Sequence, residues 1–338
     1  MFMADFGILG FGMAGATLAG ELLARGARKV VVAGRDLPGA ASPIAPGLVN
    51  PLAGRKLKPD PRMSAWYEAL QGLDLRWGSF FGESFWRDIP IVRILEDAKQ
   101  VERLEAITPD AAEARWIAER WQPGTLGPLV NDECGSFLTA GSGWFDIPRF
   151  ITRMASHPQL EWIDPDDVEH TADRWIDCRG WRCAFDSRWR MLPWNCVRGE
   201  FLELELTPGQ LATDRIWNRG LWLRPAGGWR WLVGSTYAWD EATFANQPTK
   251  EAAAQLLDRL AQWFQGEPRI VGQHAGTRAV VRDYRPVLGP SPEDDRWLLF
   301  SGLGSKGALL GPFYGAAMAS HLIDGSPLPE EASLARFL

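Results

Sequence analysis

The chain has 338 residues, 46% of them hydrophobic, and a formal net charge of −6. That length suits one large domain or two interleaved ones with an ample core. The acidic balance argues against a polyanion binder working through bulk charge. The four cysteines (Cys134, Cys178, Cys183, Cys196) lack metal-type spacing and read as free thiols in a reducing cytosol. No metal site is expected. No apolar run is long enough for a membrane span, and no cationic stretch precedes an apolar core at the N-terminus. A cytoplasmic protein without a signal peptide is therefore expected.

The first element is a short apolar strand (Phe6, Ile8, Leu9), followed by Gly10-Phe11-Gly12-Met13-Ala14-Gly15, an apolar helical stretch Ala16 to Leu23, and a second strand, Val30-Val31-Val32. Strand, G-x-G-x-x-G, helix, strand is the dinucleotide-binding fingerprint in its required context. Gly10 permits the tight turn, Gly12 lets a pyrophosphate approach the backbone, and Gly15 lets the helix pack closely on the strand. The free N–H groups at the helix start, Ala14 among them, face the anion. The fingerprint expects an acidic ribose ligand about 20 residues on. Here that position falls near Gly34, followed by Arg35 and Asp36. Asp36 reaching a ribose and Arg35 pairing with a 2′-phosphate are both open, so this motif by itself leaves FAD, NAD and NADP standing.

The segment from Leu37 to Pro61 is rich in Pro, Gly, Ala and Ser and too long for an ordinary connection, which predicts a functional loop. Ser64 to Trp121 reads mostly as helices, one of them starting at Thr108-Pro109. A helix over Asp146–Ala155 leads to strands near Leu160–Ile163 and Arg174–Cys178. Phe201 to Leu206 then alternates at period two. Leu221–Leu223 and Trp229–Val233, joined across Pro225–Gly228, predict a hairpin. A helix over Glu251–Phe264 follows. Trp297–Ser301 reads as a buried strand running into Gly302–Gly307, and the last helix runs from Phe313 to Asp324. Tryptophan is common, with 18 copies, several beside arginine. In an acidic chain these pairs predict buried aromatics and local cation–π contacts rather than nucleic-acid bases. The pattern is a nucleotide-binding α/β unit at both ends with an antiparallel β unit between.

Six blocks in order resemble the FAD-dependent amine oxidase superfamily that includes D-amino-acid oxidase, glycine oxidase and sarcosine oxidase. They are the N-terminal glycines; the small-residue loop Ala41–Pro51; Trp175–Gly180; Val197–Glu200 with Val233–Tyr237; Ala275–Arg278 running on to Gly289; and Gly302–Gly307. The resemblance implies an α/β fold, with a Rossmann-type FAD-binding domain (1–62, 138–196 and 270–338) interleaved with an antiparallel sheet-plus-helices substrate domain (63–137 and 197–269). It implies FAD held by Gly10, Gly12, Ala14, Gly15, Arg35 or Asp36, Ser42, Gly47, Val168 at the adenine, Gly180, and Gly304, Ser305, Lys306 and Gly307. It also implies oxidation of a small amine or amino acid by hydride transfer from Cα–H, with oxygen or another acceptor taking the electrons and water hydrolysing the imine. The chain departs from the family in its displaced acidic ribose ligand, in Ala279 where a proline usually follows the arginine, and in Asn218 and Trp222 where D-amino-acid oxidases place tyrosines.

A flavin supplies the hard chemistry, so the protein must chiefly orient the substrate. A guanidinium matches a carboxylate, which makes Arg278 the candidate clamp, with a structural ion pair to Asp283 as the rival reading. Lys306 offers positive charge for oxygen reduction or is a solvated loop residue. Asn50, Arg55, Trp222 and Tyr237 are candidate pocket walls, with Arg55 equally readable as solvated, and His274 reads as a packed structural histidine. Nucleic acid is not an expected partner, and oligomeric state is open. The alternatives are oxidation of an aminomethyl group on modified tRNA and a catalytically idle flavin-binding protein.

Overall fold

The computed structural model describes residues 4–109, 111–245 and 247–338. Two large sheets carry the architecture. The first has six strands in the order Val287–Pro290, Trp297–Ser301, Ala172–Asp177, Ala4–Leu9, Val30–Ala33 and Leu160–Trp162. All neighbours in it run parallel except the Val287–Pro290 edge. Inner strands Val30–Ala33 and Trp297–Ser301 are nearly continuous apolar runs because a parallel sheet is covered on both faces; Val30–Ala33 is buried at every position. Helices Met13–Ala24 and Gly307–Asp324 pack against each other. A Cβ on Gly311 would lie 2.9 Å from Met13 Cγ, and one on Gly315 would lie 3.0 Å from Thr17 Oγ1. Those two glycines let the N-terminal and C-terminal parts of the chain meet as one unit.

The second sheet has eight strands in the order Arg269–Arg278, Val197–Glu205, Arg230–Gly234, Leu221–Gly227, Ile216–Arg219, Ile91–Ile94, Ser136–Thr139 and Ile117–Trp121. Its period-two alternation sorts two faces. Leu202, Leu204, Trp217, Leu223, Trp231 and Val233 bury against Leu256 and Leu260 of helix Lys250–Ala261. The opposite face, from Arg278 and Phe201 across to Trp222 and Asn218, turns toward the first sheet and a cavity. A small sheet of Leu48–Val49, Gly143–Phe145 and Trp86–Asp88 lies beside helix Met63–Phe81, their aromatic side chains meeting at Tyr67 and Trp86.

Three expectations change. The stretch 64–121 holds helices Met63–Phe81 and Ala98–Glu105, but also strands Trp86–Asp88, Ile91–Ile94 and Ile117–Trp121. Ile91–Ile94 is a strand because it slots between Ile216–Arg219 and Ser136–Thr139, partners distant in sequence. Among the described residues no helix starts at Thr108-Pro109. Ala111 N–H donates to the Thr108 carbonyl and Ala114 N–H to that of Ala111, three-residue steps of successive turns. The last helix begins at Gly307, six residues before the expected start, and carries Pro312 inside it. Its Gly311 and Gly315 pack on Met13 and Thr17. The four cysteines are free. Among the described residues no helix is long and apolar enough to cross a membrane.

Candidate active site

Between the sheets lies a cavity of about 460 Å³. Its first wall is mostly backbone. Gly10 sits at φ +94°, and a Cβ there would be 2.8 Å from the Arg179 backbone. A Cβ on Gly15 would lie 2.2 Å from the Gly10 carbonyl oxygen, so this glycine works beneath the turn and does not line the cavity. Helix Met13–Ala24 has no side-chain cap at Gly12, and Met13 N–H donates to Ser42 Oγ at 3.1 Å. Helix Gly307–Asp324 likewise starts without a side-chain cap. Gly12, Met13 and Ala14 of the first helix start and Gly304 to Leu309 of the second all border the cavity. Two helix starts opening on one space favour an anionic or electron-rich ligand.

The loop after the second strand threads between the two units. Thr277 N–H donates to the Gly39 carbonyl at 2.9 Å, and a Cβ on Gly276 would be 2.9 Å from Ala41 Cα. Gly47, at φ +68°, approaches the Phe145 carbonyl so closely that a Cβ would lie 1.8 Å from its oxygen. Below this wall, fully buried Asp177 accepts from Arg179 Nε at 2.9 Å and Trp189 Nε1 at 2.9 Å, and Cys183 Sγ lies 3.2 Å away. Arg179 also pairs with Asp186 at 2.6 Å. Burial, reinforced by Asp177, pushes the Cys178 and Cys183 thiols well above the usual thiol range. These cysteines are accordingly poor nucleophiles.

The second wall is made of side chains. The Arg278 guanidinium lies over Gly199, where a Cβ would be 2.3 Å from Nη2. Nη2 donates to Ser235 Oγ at 2.7 Å, the Tyr237 ring centre is 4.9 Å from Cζ, and Nη1 is buried without a partner. Burial pulls the Arg278 pKa down, with Tyr237 opposing. The rival ion pair is not formed: Asp283 accepts from Arg336 Nε at 2.9 Å. Arg278 is thus a half-buried cation with a hydroxyl, a ring and no carboxylate beside it, an arrangement with a cost for a purely structural residue.

Of the residues expected at a site, Gly10, Gly12, Ala14, Arg35, Asp36, Ser42, Gly47, Asn50, Gly180, Trp222, Tyr237, Arg278 and Gly304 through Gly307 line this one cavity. Arg35 Nε and Asp36 Oδ2 are 3.6 Å apart there, both exposed. Lys306 is exposed, with its ammonium 5.8 Å from the Trp66 ring. Val168 lies elsewhere, buried against Leu9, Val31 and Trp175. Arg55 also lies outside the lining, 70% exposed and paired with Asp97 at 2.5 Å. His274 stacks on Phe201 at 4.8 Å, as a packed ring. Ser235, Phe201, Ile91 and Ile151 line the cavity without having been singled out. Ser235 follows Gly234 directly and Phe201 shares the face of Gly199, so their signal was parity along already noticed strands; Ile91 and Ile151 carried none.

Residues 5–321 match the family described as FAD dependent oxidoreductase. A curated relative from Maricaulis maris, the tRNA 5-methylaminomethyl-2-thiouridine biosynthesis bifunctional protein MnmC, is 25% identical over 95% of this chain and 52% of its own length. The chain therefore spans about half the length of the curated relatives it matches. Among solved structures, iminodiacetate oxidase from Chelativorans sp. BNC1 superposes with a TM-score of 0.82 at 22% identity, covering 98% of each chain. Glycine oxidase from Geobacillus kaustophilus gives 0.76 at 18% identity, covering 99% of this chain and 97% of that one. At such identities these two share the fold.

Proposed function

This chain belongs to the FAD dependent oxidoreductase family, and from that premise we propose that it oxidises a small amine or amino acid at the carbon beside nitrogen, gripping the substrate carboxylate with Arg278. The residues suit FAD. Two uncapped helix starts and glycines that a Cβ would block border a cavity running from Gly34–Asp36 to Arg278. On this reading Gly10, Gly12, Ala14 and Ser42 hold the pyrophosphate, Arg35 or Asp36 the adenosine side, and Gly304–Gly307 the flavin edge. When bound, FAD accepts the hydride from Cα–H and hands the electrons to oxygen or another acceptor.

The protein's own part is orientation. The planar fork of Arg278, steadied by Ser235, sets the carboxylate and hence the direction of the Cα–H bond. Phe201, Trp222 and Tyr237 wall the space and displace water. The lining residues on this wall include no carboxylate or imidazole to act as base. The substrate therefore reacts as its neutral amine, and turnover rises about tenfold per pH unit below the amine's own pKa. A pH-flat rate constant for anaerobic flavin reduction would break this account.

The observation that carries the proposal is Arg278 facing the shared cavity, half-buried, with Nη1 unpaired and no carboxylate beside it. The test is anaerobic mixing with amino acids and N-alkyl amino acids while flavin colour is followed. Bleaching by small carboxylated amines is expected. The curated relatives favour a second reading, an aminomethyl group on modified tRNA. The half-exposed Tyr237 and Trp239, stacked at 6.1 Å on the cavity rim, supply a surface for a base. Bleaching by such tRNA with none by small amines selects that reading, and no bleaching by either sinks both.

A further inference from the structure

We propose that Asn218 is a specificity-determining donor at the far end of the substrate wall, selecting amines that carry a second hydrogen-bond acceptor, such as a second carboxylate, beyond the one held by Arg278. The proposal rests on the reading of Arg278 as a clamp.

The register of the large sheet sets Arg93, Asn218, Trp222, Gly234 and Phe201 side by side across five strands. The alternation that buries Val92, Trp217 and Leu223 on the other face turns this row toward the cavity. Arg93 is 4% exposed, and its Nη1 donates to Asn218 Oδ1. A guanidinium has no acceptor, so the amide oxygen must face it, and the Nδ2 end with its two N–H donors is left over. No described residue accepts from Nδ2, and Asn218 lines the cavity.

The orientation is held from behind. Arg93 Nη2 donates to Glu96 Oε1 at 3.0 Å, and Gln100 Nε2 donates to the same oxygen at 3.1 Å. Gln100 is 2% exposed and accepts from Glu96 N–H at 3.1 Å. Arg55 Nη1 lies 3.8 Å from Glu96 Oε2, which gives that expected pocket residue an outer place in the same chain of contacts. Arg93 Nε stays buried without a partner, so the orientation rests on the two engaged ends of its fork, Nη1 on Asn218 and Nη2 on Glu96. Here the fixed product is a pair of donors aimed at the ligand space.

The span sets the ligand class. Arg278 reaches over Gly199 to Ser235, at the end of strand Arg230–Gly234, and that strand is separated from the Asn218 strand by Leu221–Gly227 alone. Two strand spacings are about 10 Å, and a hydrogen bond at each end takes up part of that. The remaining reach suits a secondary amine with an acceptor on each arm and exceeds a simple α-amino acid. The Trp222 ring, between the two ends, gives the intervening carbons an apolar floor.

The test titrates the holoenzyme with N-methylglycine, iminodiacetate and N-(2-carboxyethyl)glycine, reading dissociation constants by calorimetry. Wild type should bind at least one dicarboxylate about 10- to 100-fold more tightly than N-methylglycine, the range of a hydrogen bond to a charged group. Asn218→Leu should erase that preference by weakening dicarboxylate binding to the level of N-methylglycine, and Asn218→Asp should reverse it by repulsion. As the positioning residue, Arg93→Met should weaken the preference and Arg93→Lys restore it. Equal affinities in wild type, or a preference that survives Asn218→Leu, overturn this proposal alone. Failure of every ligand to bind overturns the Arg278 clamp together with it.

Discussion

Along the six-stranded sheet the cavity is bordered by Gly10, Gly12, Gly34, Gly180 and two helix starts without an N-cap side chain of their own, whereas along the eight-stranded sheet it is bordered by Arg278, Tyr237, Trp222, Phe201 and Asn218. The first wall presents peptide groups and the second presents side chains. A backbone wall recognises what every FAD molecule shares, phosphates and a flat ring that takes up negative charge on reduction, and tolerates little change because a side chain would fill the approach. A side-chain wall can be rewritten one residue at a time without disturbing the strands beneath, and so the proposed function puts substrate choice there.

The sharpest way to break this contrast is Gly15→Val. With a Cβ 2.2 Å from the Gly10 carbonyl oxygen, the turn cannot close, and purified protein should be colourless. Stoichiometric flavin in that variant would show that the backbone wall is not what holds the cofactor. Asp177→Ala comes next. It strands the buried Trp189 indole N–H and the Nε of half-buried Arg179, whose Nη2 keeps Asp186, beneath the cradle and should cost about 1–3 kcal/mol of stability, the usual penalty for a buried donor left unsatisfied. Denaturant unfolding measures it, and a change within about 0.5 kcal/mol, as at an ordinary surface position, would deny the network its role.

Arg278→Ala sharpens the contrast from the other side. Flavin content should be unchanged while kcat/KM for carboxylated amines falls by about 2–5 kcal/mol of binding, the range for losing one partner of a buried charge contact. Amines without a carboxylate should be nearly indifferent. Equal losses for both classes would mean that Arg278 supports the wall and does not grip the substrate. The smallest effect belongs to His157, remote from both walls and stacked on Phe80 at 4.9 Å. Burial holds its pKa below the usual 6.5. A depressed histidine contributes stability that is complete above pH 6.5 and is lost as the pH falls below it, because the unfolded ring then binds a proton more readily. Tm should decline on acidification from neutral pH, and the decline should be shallower in His157→Phe; identical slopes would remove His157 from the account.

The first wall was legible in the amino-acid sequence because its information is local. Gly10, Gly12 and Gly15 are required by one turn, and Gly302 to Gly307 by one loop, so spacing along the chain is enough to find them. The same locality explains why the leucine alternation of Val197–Glu205 and the hairpin Leu221–Gly234 could be read directly. Where information is not local, reading failed or stayed open. Ile91–Ile94 is a strand only because residues near 138 and 217 flank it, and the last helix, which starts at Gly307, meets Met13 and Thr17 through its glycines. Whether Arg278 was an ion pair or an unpaired cation depended on Arg336, 58 positions away, taking Asp283 instead. The direction of the Asn218 amide depended on Arg93, 125 positions away in the chain but adjacent in the sheet. Glycine spacing thus determined that a dinucleotide cradle exists, since steric limits act between near neighbours. Which side chains confront each other across the cavity was decided only by tertiary register, since a charge or an amide takes its role from whichever partner the folded chain brings within hydrogen-bonding distance.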